Sequence, residues 1–377
     1  MKKTTRLLPV LIAPLLLTSC GSTLKYADNL DKYVFTMEYH QNFNILQLTD
    51  IHWNINSSTY ESKNYMDKVL KEAAAHVKAN QGDAAKIDLV ELTGDMFMLS
   101  NSFEVRDFIN YFEKKAEEYG FKYAAIWGNH DRHGLYHPNW LAEQFEKAPH
   151  AIYRELNDDL YGRSNFVINL TKGSDVKWQI SNLDSGASFS ESPMSPFRDY
   201  DYIRKDQTQW WVKEHEAVGV DVPGIAYYHI PQDENLKLYE ARASHKNKFF
   251  KLEDFADNGM EEYASDFLDT AKALNLKGAF MGHAHNVDWT VQWDDLIVGL
   301  GVKTGIELYY AHIDTASTDP AMQEGLVSVG INENFDLIGA SLVTITDAED
   351  NIEGKFDLEH LYLNERESED FVKWVKF

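Results

Sequence analysis

Tyr123-Ala124-Ala125-Ile126-Trp127-Gly128-Asn129-His130-Asp131 is the stretch on which the reading of this chain turns. Five apolar or aromatic residues, the pattern of a buried strand, run straight into a glycine, an amide, an imidazole and a carboxylate. The same transition is written four more times. Phe43 to Leu48 precedes Asp50-Ile51-His52, and Ile87 to Leu92 precedes Gly94-Asp95. Gly224 to Tyr228 precedes His229, and Leu276 to Met281 precedes Gly282-His283-Ala284-His285. Five strand ends therefore deliver oxygen and imidazole groups to one place, which is where an open α/β sheet puts its active site.

Helices are expected between these strands. Lys63 to Asn80 places Met66, Val69, Leu70, Ala73, Ala74 and Val77 at helical spacing and stops near Gly82. Asn101-Ser102-Phe103-Glu104 has the cap-then-acid order of a helix start, with Val105, Phe108, Ile109 and Phe112 on one face until Gly120. Strand, motif and helix thus recur as a βαβαβ unit. Further on, the pattern predicts a helix over 139–147, strands over 164–170 and 176–183, and a helix from Asp206 with Trp210 and Trp211 on its buried side. Residues 184–205, with Phe189, Phe197, Tyr200 and Tyr202, read as a long loop of the functional kind. Tyr309, Tyr310, Trp289 and Trp293 read as core or strand-face residues. Leu342 to Thr346 and Lys355 to Leu358 read as an antiparallel hairpin.

The N-terminus is read apart from the fold. Lys2, Lys3 and Arg6 precede an apolar stretch from Leu7 to Leu17, and Leu17-Thr18-Ser19-Cys20 follows the order of a bacterial lipobox. Residues 1–19 are expected to be a lipoprotein signal peptide, 20–40 a lipidated Cys20 with a tether and edge strand, and 41–377 one domain. Cys20 is the sole cysteine, so it has no partner for an internal disulfide. The expected location is extracytoplasmic, with attachment to the membrane through Cys20. Formal net charge is −24 over 377 residues, and loss of the signal deepens it by three. So acidic a surface repels nucleic-acid backbones, which places nucleases and nucleic-acid partners last.

Hydrolysis of a phosphoester at neutral pH needs an activated water and neutralised nonbridging oxygens, which two cations roughly 3.5–4 Å apart supply together. Mixed carboxylate and imidazole donors suit Fe, Zn and Mn. Asp50 and His52, two residues apart at a strand end, share one side. Asp95, after a glycine, suits a bridge between two ions, and Asn129 offers an oxygen without charge.

The five motifs in this order resemble the calcineurin-like metallophosphoesterase superfamily, and within it the purple-acid-phosphatase-like subgroup whose first motif is DxH. Leu183-Asp184-Ser185-Gly186, Asp206-Gln207-Thr208-Gln209-Trp210, His229-Ile230-Pro231 and Val302-Lys303-Thr304-Gly305 extend the likeness over about 43–310. It implies a four-layer αββα sandwich with two mixed β-sheets. It also implies one ion held by Asp50, His52, Asp95 and His285, and a second by Asp95, Asn129, His229 and His283, with a shared hydroxide attacking phosphorus. His130 is then the general acid, with Asp131 orienting its ring. Arg132 and His133 are candidate substrate contacts, with His137, Asp184 and Lys303 behind them. Met98 stands where purple acid phosphatases carry a tyrosine, so the tyrosinate-to-iron bond is not expected and a ferric ion is not required. The expected activity is phosphomonoester hydrolysis on a small phosphorylated substrate. A phosphodiesterase or nucleotidase with the same metals, and a non-catalytic surface binding lipoprotein, are the alternatives.

Overall fold

Leu89–Thr93 lies parallel between Phe43–Leu48 and Lys122–Ile126, every one of its residues buried. Strands buried on both faces carry continuous apolar runs, which is how these three read in the sequence. They form the middle of a seven-stranded mixed sheet ordered Val372–Lys376, Phe356–Leu363, Gly339–Ile345, Phe43–Leu48, Leu89–Thr93, Lys122–Ile126, Ala151–Ile152. The predicted hairpin joins it antiparallel through Gly339–Ile345.

The other two motif strands belong to a second sheet. Gly224–Tyr227 and Leu276–Met281 lie parallel at the centre of eight strands ordered Val34–Glu38, Phe166–Lys172, Asp175–Asn182, Gly224–Tyr227, Leu276–Met281, Leu296–Leu300, Val287–Trp293, Lys246–Lys251. Strand alternation assigns the two faces. Ile225 and Tyr227 pack into the cluster that holds Ile45 and Leu48 of the first sheet, while Ala226 and Tyr228 pack with Trp210, Trp211 and Phe267. Thr59–Gln81, Ser102–Tyr119 and Pro138–Glu146 cover the outer face of the first sheet; Lys205–Val218, Asp233–Glu240 and Phe267–Ala273 cover that of the second. The four-layer αββα sandwich is therefore the fold.

The structure, a computed structural model, describes residues 34–54, 59–132, 138–154, 160–189, 199–252, 266–365 and 371–377. The signal segment 1–19, Cys20, His133, His137 and Phe197 lie outside the described residues. Among those described, no helix is long and apolar enough to cross a membrane.

The predicted boundaries shift by a few residues. Asn101 caps Ser102–Tyr119 by accepting from the amides of Phe103 and Glu104, and Gly120 ends it at φ 77°. Val34–Glu38 pairs parallel with Phe166–Lys172 at the sheet's edge, where an edge strand was expected within residues 20–40. Residues 184–205 are not all loop, because Ser188–Phe189 pairs with Asp199–Tyr200. A third apolar cluster, with Ile313, Leu326, Val329 and Phe335 beneath helix Pro320–Val329, was not foreseen. Its sequence lacks a strong period, and the cluster is closed by Tyr362 and Val375 from distant strands.

Candidate metal centre

Each of the five motifs sits in the turn that leaves its strand, and the turns are unusual. Asp50, His52, Asp95 and His283 all adopt positive φ, at 53°, 50°, 50° and 78°. The left-handed region costs a non-glycine residue free energy and persists where the surroundings over-determine it, as functional sites do. Hydrogen bonds between turns supply that constraint. The amide of Asp50 donates to Gly94 O at 3.1 Å, that of His52 to Asp95 O at 2.9 Å, and that of His283 to Asp50 Oδ2 at 2.9 Å.

Glycine is required where the motifs touch. A Cβ on Gly128 would overlap Asp95 Oδ1 and stand 2.8 Å from His229 Nε2. Gly94, at φ 92°, leaves no room for a Cβ against the His229 ring. Three motifs from two sheets therefore meet within contact distance.

The side chains converge as two overlapping groups. Asp50, His52 and His285 bring one ligand atom each within 4.8 Å of one another, and Asp95, His229 and His283 do the same. His52 Nε2 and His285 Nε2 face each other at 3.1 Å, and Asp50 Oδ1 lies 3.4 Å from His285 Nε2. In the other group Asn129 Oδ1 is 3.2 Å from His229 Nε2 and 3.0 Å from His283 Nδ1. Asp95 stands between them, Oδ1 at 3.4 Å from His229 Nε2 and Oδ2 at 3.8 Å from His52 Nε2. Every residue that the sequence proposed as a ligand is thus in one cluster. His130 is there as well, its ring nitrogen within the same 4.8 Å limit of His52 and Asp95.

Neighbours fix which atoms point inward. His229 Nδ1 is 2.8 Å from the Thr93 carbonyl, an acceptor only, so this nitrogen carries the proton there and Nε2 is presented to Asp95. Thr49 Oγ1 donates to Asp50 Oδ2 at 2.7 Å, leaving Oδ1 for the cluster. Lys303 Nζ donates to Asp50 O at 2.7 Å.

The electrostatics agree. Burial would raise the Asp50 and Asp95 carboxyls, yet His285 and His229 hold Asp50 well below its ordinary value, and His229 with His52 does so for Asp95. Burial works against the His229 imidazolium, but Asp95 outweighs it and lifts its pKa to about 9. Burial, aided by His229, pushes His283 down to about 4; burial and Lys303 push His52 well down. Two buried carboxylates held ionised beside imidazoles are anions that a cation would satisfy. The mixed oxygen and nitrogen donor set fits Mn, Fe or Zn.

Two sequence expectations are corrected. Asp131 places Oδ1 on the amide of Phe97 at 3.1 Å and Oδ2 on that of Gly128 at 2.7 Å, so it holds the turn instead of orienting the His130 ring. Arg132 pairs with the fully buried Asp184 and lies over the Trp127 ring, which commits it inward and not to a substrate. Asp184 also accepts from the amides of Arg163, Ser164 and Gly186. The stretches around Asp184 and Gln207, noted beyond the ligand motifs, are one buried network: Gln207 Nε2 donates to Asp184 O and Asn165 Oδ1.

Tyr309 was read as a core or strand-face residue and is instead 53% exposed, its ring centroid 4.6 Å from that of His285. Leu308, at φ 63°, turns the chain and leaves Tyr309 at the surface. Trp289 is fully buried as expected. The sequence carried no signal for Thr49, Thr93 or Gln47, which serve the site through a hydroxyl, a carbonyl and an amide. Gln47 Nε2 donates to Thr93 Oγ1 at 2.9 Å and to Met281 O at 3.1 Å, tying the two sheets together beneath the centre.

Comparison with known proteins agrees with this geometry. Residues 43–287 match the family model for calcineurin-like phosphoesterase. Phosphatase DCR2 of Saccharomyces cerevisiae is 23% identical over 272 residues, covering 67% of this chain and 45% of that protein. The chain thus spans about half the length of that relative. Probable inactive purple acid phosphatase 29 of Arabidopsis thaliana is 25% identical over 300 residues, covering 71% of this chain and 73% of that protein. A solved protein serine/threonine phosphatase from Saccharomyces cerevisiae superposes with a TM-score of 0.31 at 11% identity over 92% of this chain and 87% of its own, a likeness too weak to argue from.

Proposed function

We propose that this chain, which belongs to the calcineurin-like phosphoesterase family, hydrolyses phosphomonoesters with two metal ions, on the outside of the cell, tethered by a lipidated Cys20. The observation that carries the catalytic part is the convergence of Asp50, His52, Asp95, Asn129, His229, His283 and His285, four of them held at positive φ.

Asp50, His52, Asp95 and His285 would hold one ion, and Asp95, Asn129, His229 and His283 the other. When bound, the ions supply positive charge against the nonbridging oxygens and make a water acidic enough to serve at neutral pH. The chain does the rest. Asp95 spans both groups, and the amide of His130 donates to its Oδ1 at 2.8 Å, fixing the carboxylate's tilt. Thr93 and Thr49 keep His229 and Asp50 in the right presentation. His130, less buried than His52 and Asp95 beside it, is placed to give a proton to the departing alkoxide. Asn129 adds an oxygen donor without a further charge.

The test is a turnover screen of the chain lacking residues 1–20 on monoester, diester and nucleotide substrates, with Mn, Zn, Fe or Mg supplied after chelation. Preference for monoesters supports the proposal. Preference for diesters or nucleotides replaces it with the corresponding activity at the same centre, and no turnover with any metal leaves the non-catalytic lipoprotein. The anchor has its own test. Two or more acyl chains hold a protein stably where one does not, so Cys20→Ser should move the protein from the detergent-extracted membrane fraction to the soluble or uncleaved pool. A serine variant that stays a mature membrane protein would sink the lipid anchor.

A further inference from the structure

Among the large apolar side chains exposed on the described residues are Leu99, Phe103, Tyr200, Leu308 and Tyr309, at 55, 72, 37, 41 and 53%. The Tyr200 ring lies edge-on to His283, centroids 4.3 Å apart, and the Tyr309 ring lies 4.6 Å from His285. Two tyrosines thus flank the Gly282-His283-Ala284-His285 turn, one against each histidine. Leu99 and Phe103 lie close in the chain to Ser100, whose hydroxyl donates to the Asp131 carbonyl at 3.0 Å, next to His130.

Exposed apolar surface gathered around a polar centre marks something that binds there. A bare phosphate or a polyphosphate has no use for it. Among the described residues, Arg132 is paired with Asp184, and Lys303 donates to the Asp50 carbonyl. What the rim offers is the face and edge of rigid rings, which suit another flat ring. We propose that this centre acts on phosphoesters whose alcohol carries a flat aromatic group, clasped by Tyr200 and Tyr309 while the phosphoryl group faces Asp95 and its neighbours. The inference rests on the phosphoesterase reading of the same site and adds the substrate class to it.

The test compares 2-naphthylmethyl phosphate with cyclohexylmethyl phosphate, whose alkoxides leave with similar ease, on the Mn-loaded full chain. Calorimetric binding of the two corresponding phosphonates is measured alongside. The naphthyl compound should be favoured about tenfold, the worth of one good stacking contact, through KM and not kcat, and its phosphonate should bind tighter by the same factor. Tyr200→Ala and Tyr309→Ala should each bring that ratio towards one, while Tyr200→Phe and Tyr309→Phe keep it.

A parent that binds both phosphonates equally, or alanine variants that keep the ratio, would overturn the assignment. If neither ester turns over, the phosphoesterase reading fails, and the phosphonate titration still decides the aromatic preference. Adenosine 5′-monophosphate against ribose 5-phosphate separates the sources of the ring, since preference in that pair names a nucleobase and preference in the naphthyl pair alone names an aryl group. If the alanine variants instead lose adsorption to phosphatidylcholine vesicles while the ratio stays near one, the rim seats the protein on a bilayer and the substrate proposal is wrong.

Discussion

Glu91 and Asp95 stand four residues apart, at the middle of strand Leu89–Thr93 and just beyond its end, both of them buried. Their chemistry is opposite. Asp95 lies among imidazoles that hold its carboxyl below the ordinary range. Glu91 lies between the sheets, where burial pushes it up to about 8 against the opposing pull of the Asn182 amide. Burial is therefore common to the two and cannot be what makes a carboxylate site. A buried acid stays ionised only in positive or protonatable company, so the ring of histidines around Asp50 and Asp95 is itself the mark of a place prepared for cations. Asp184 is a third case, buried with Arg132 as a fixed counter-charge.

The largest effect is expected from removing the shared charge. Asp95→Asn should cut turnover by roughly a thousandfold or more, because metal charge supplies several kcal/mol of transition-state stabilisation. Metal analysis should show clearly fewer ions than in the parent. Unchanged metal content would end the bridging assignment.

Stripping Asp184 of its cation comes next. Arg132→Ala leaves a buried carboxylate uncompensated and should lower stability by about 3 kcal/mol, read by urea unfolding. A variant that melts like the parent but shows a raised KM would restore the substrate-contact role that the structure takes from Arg132.

His130 separates a proton donor from a ligand within the charged region. His130→Ala should retain the metals and lose roughly a hundredfold in turnover, with a smaller loss on a nitrophenyl ester, whose leaving group needs no proton. Loss of metal together with activity would make it a ligand instead.

The smallest effect concerns the lonely acid. Glu91 carries its proton in the folded state up to about pH 8, whereas the unfolded chain gives it up near 4.5. Its contribution to stability is therefore complete below about pH 4.5 and is lost as the pH rises towards 8. Glu91→Gln cannot ionise, so the stability difference between variant and parent, read by urea unfolding at several pH values, should move in the variant's favour across that window. A difference independent of pH would show that Glu91 ionises freely and that the contrast with Asp95 is false.

Much of this was legible beforehand for a physical reason. Strands buried on both faces are predominantly apolar, so a cluster of polar residues directly after one marks the strand's exit. Asn129, His229 and His285 were recognisable from the five motifs taken together in their order and from the family resemblance they carry. Residues that act through the backbone or through contacts across the molecule were not. Asp131 was misjudged because nothing local tells whether a carboxylate beside a histidine faces the ring or, as here, the amides of Phe97 and Gly128. Arg132 was misjudged because its partner, Asp184, lies 52 positions away. Tyr309 was misjudged because a tyrosine pair in an apolar neighbourhood reads as core unless the positive φ at Leu308 is known.

The sequence by itself determined the strands, the order of the motifs and the donor types, since these follow from short-range pattern and from the intrinsic chemistry of carboxylate, amide and imidazole. Only the tertiary structure decided that three motifs leave one sheet and two leave another. The parallel bridge of Thr49 with Lys303 and the bond from the His283 amide to Asp50 Oδ2 join the two sets. Which side chain meets which across that seam depends on how two twisted sheets pack face to face, a relation between residues more than two hundred positions apart. No local period encodes it, and only the packing of the two sheets turns five separate strand ends into one site.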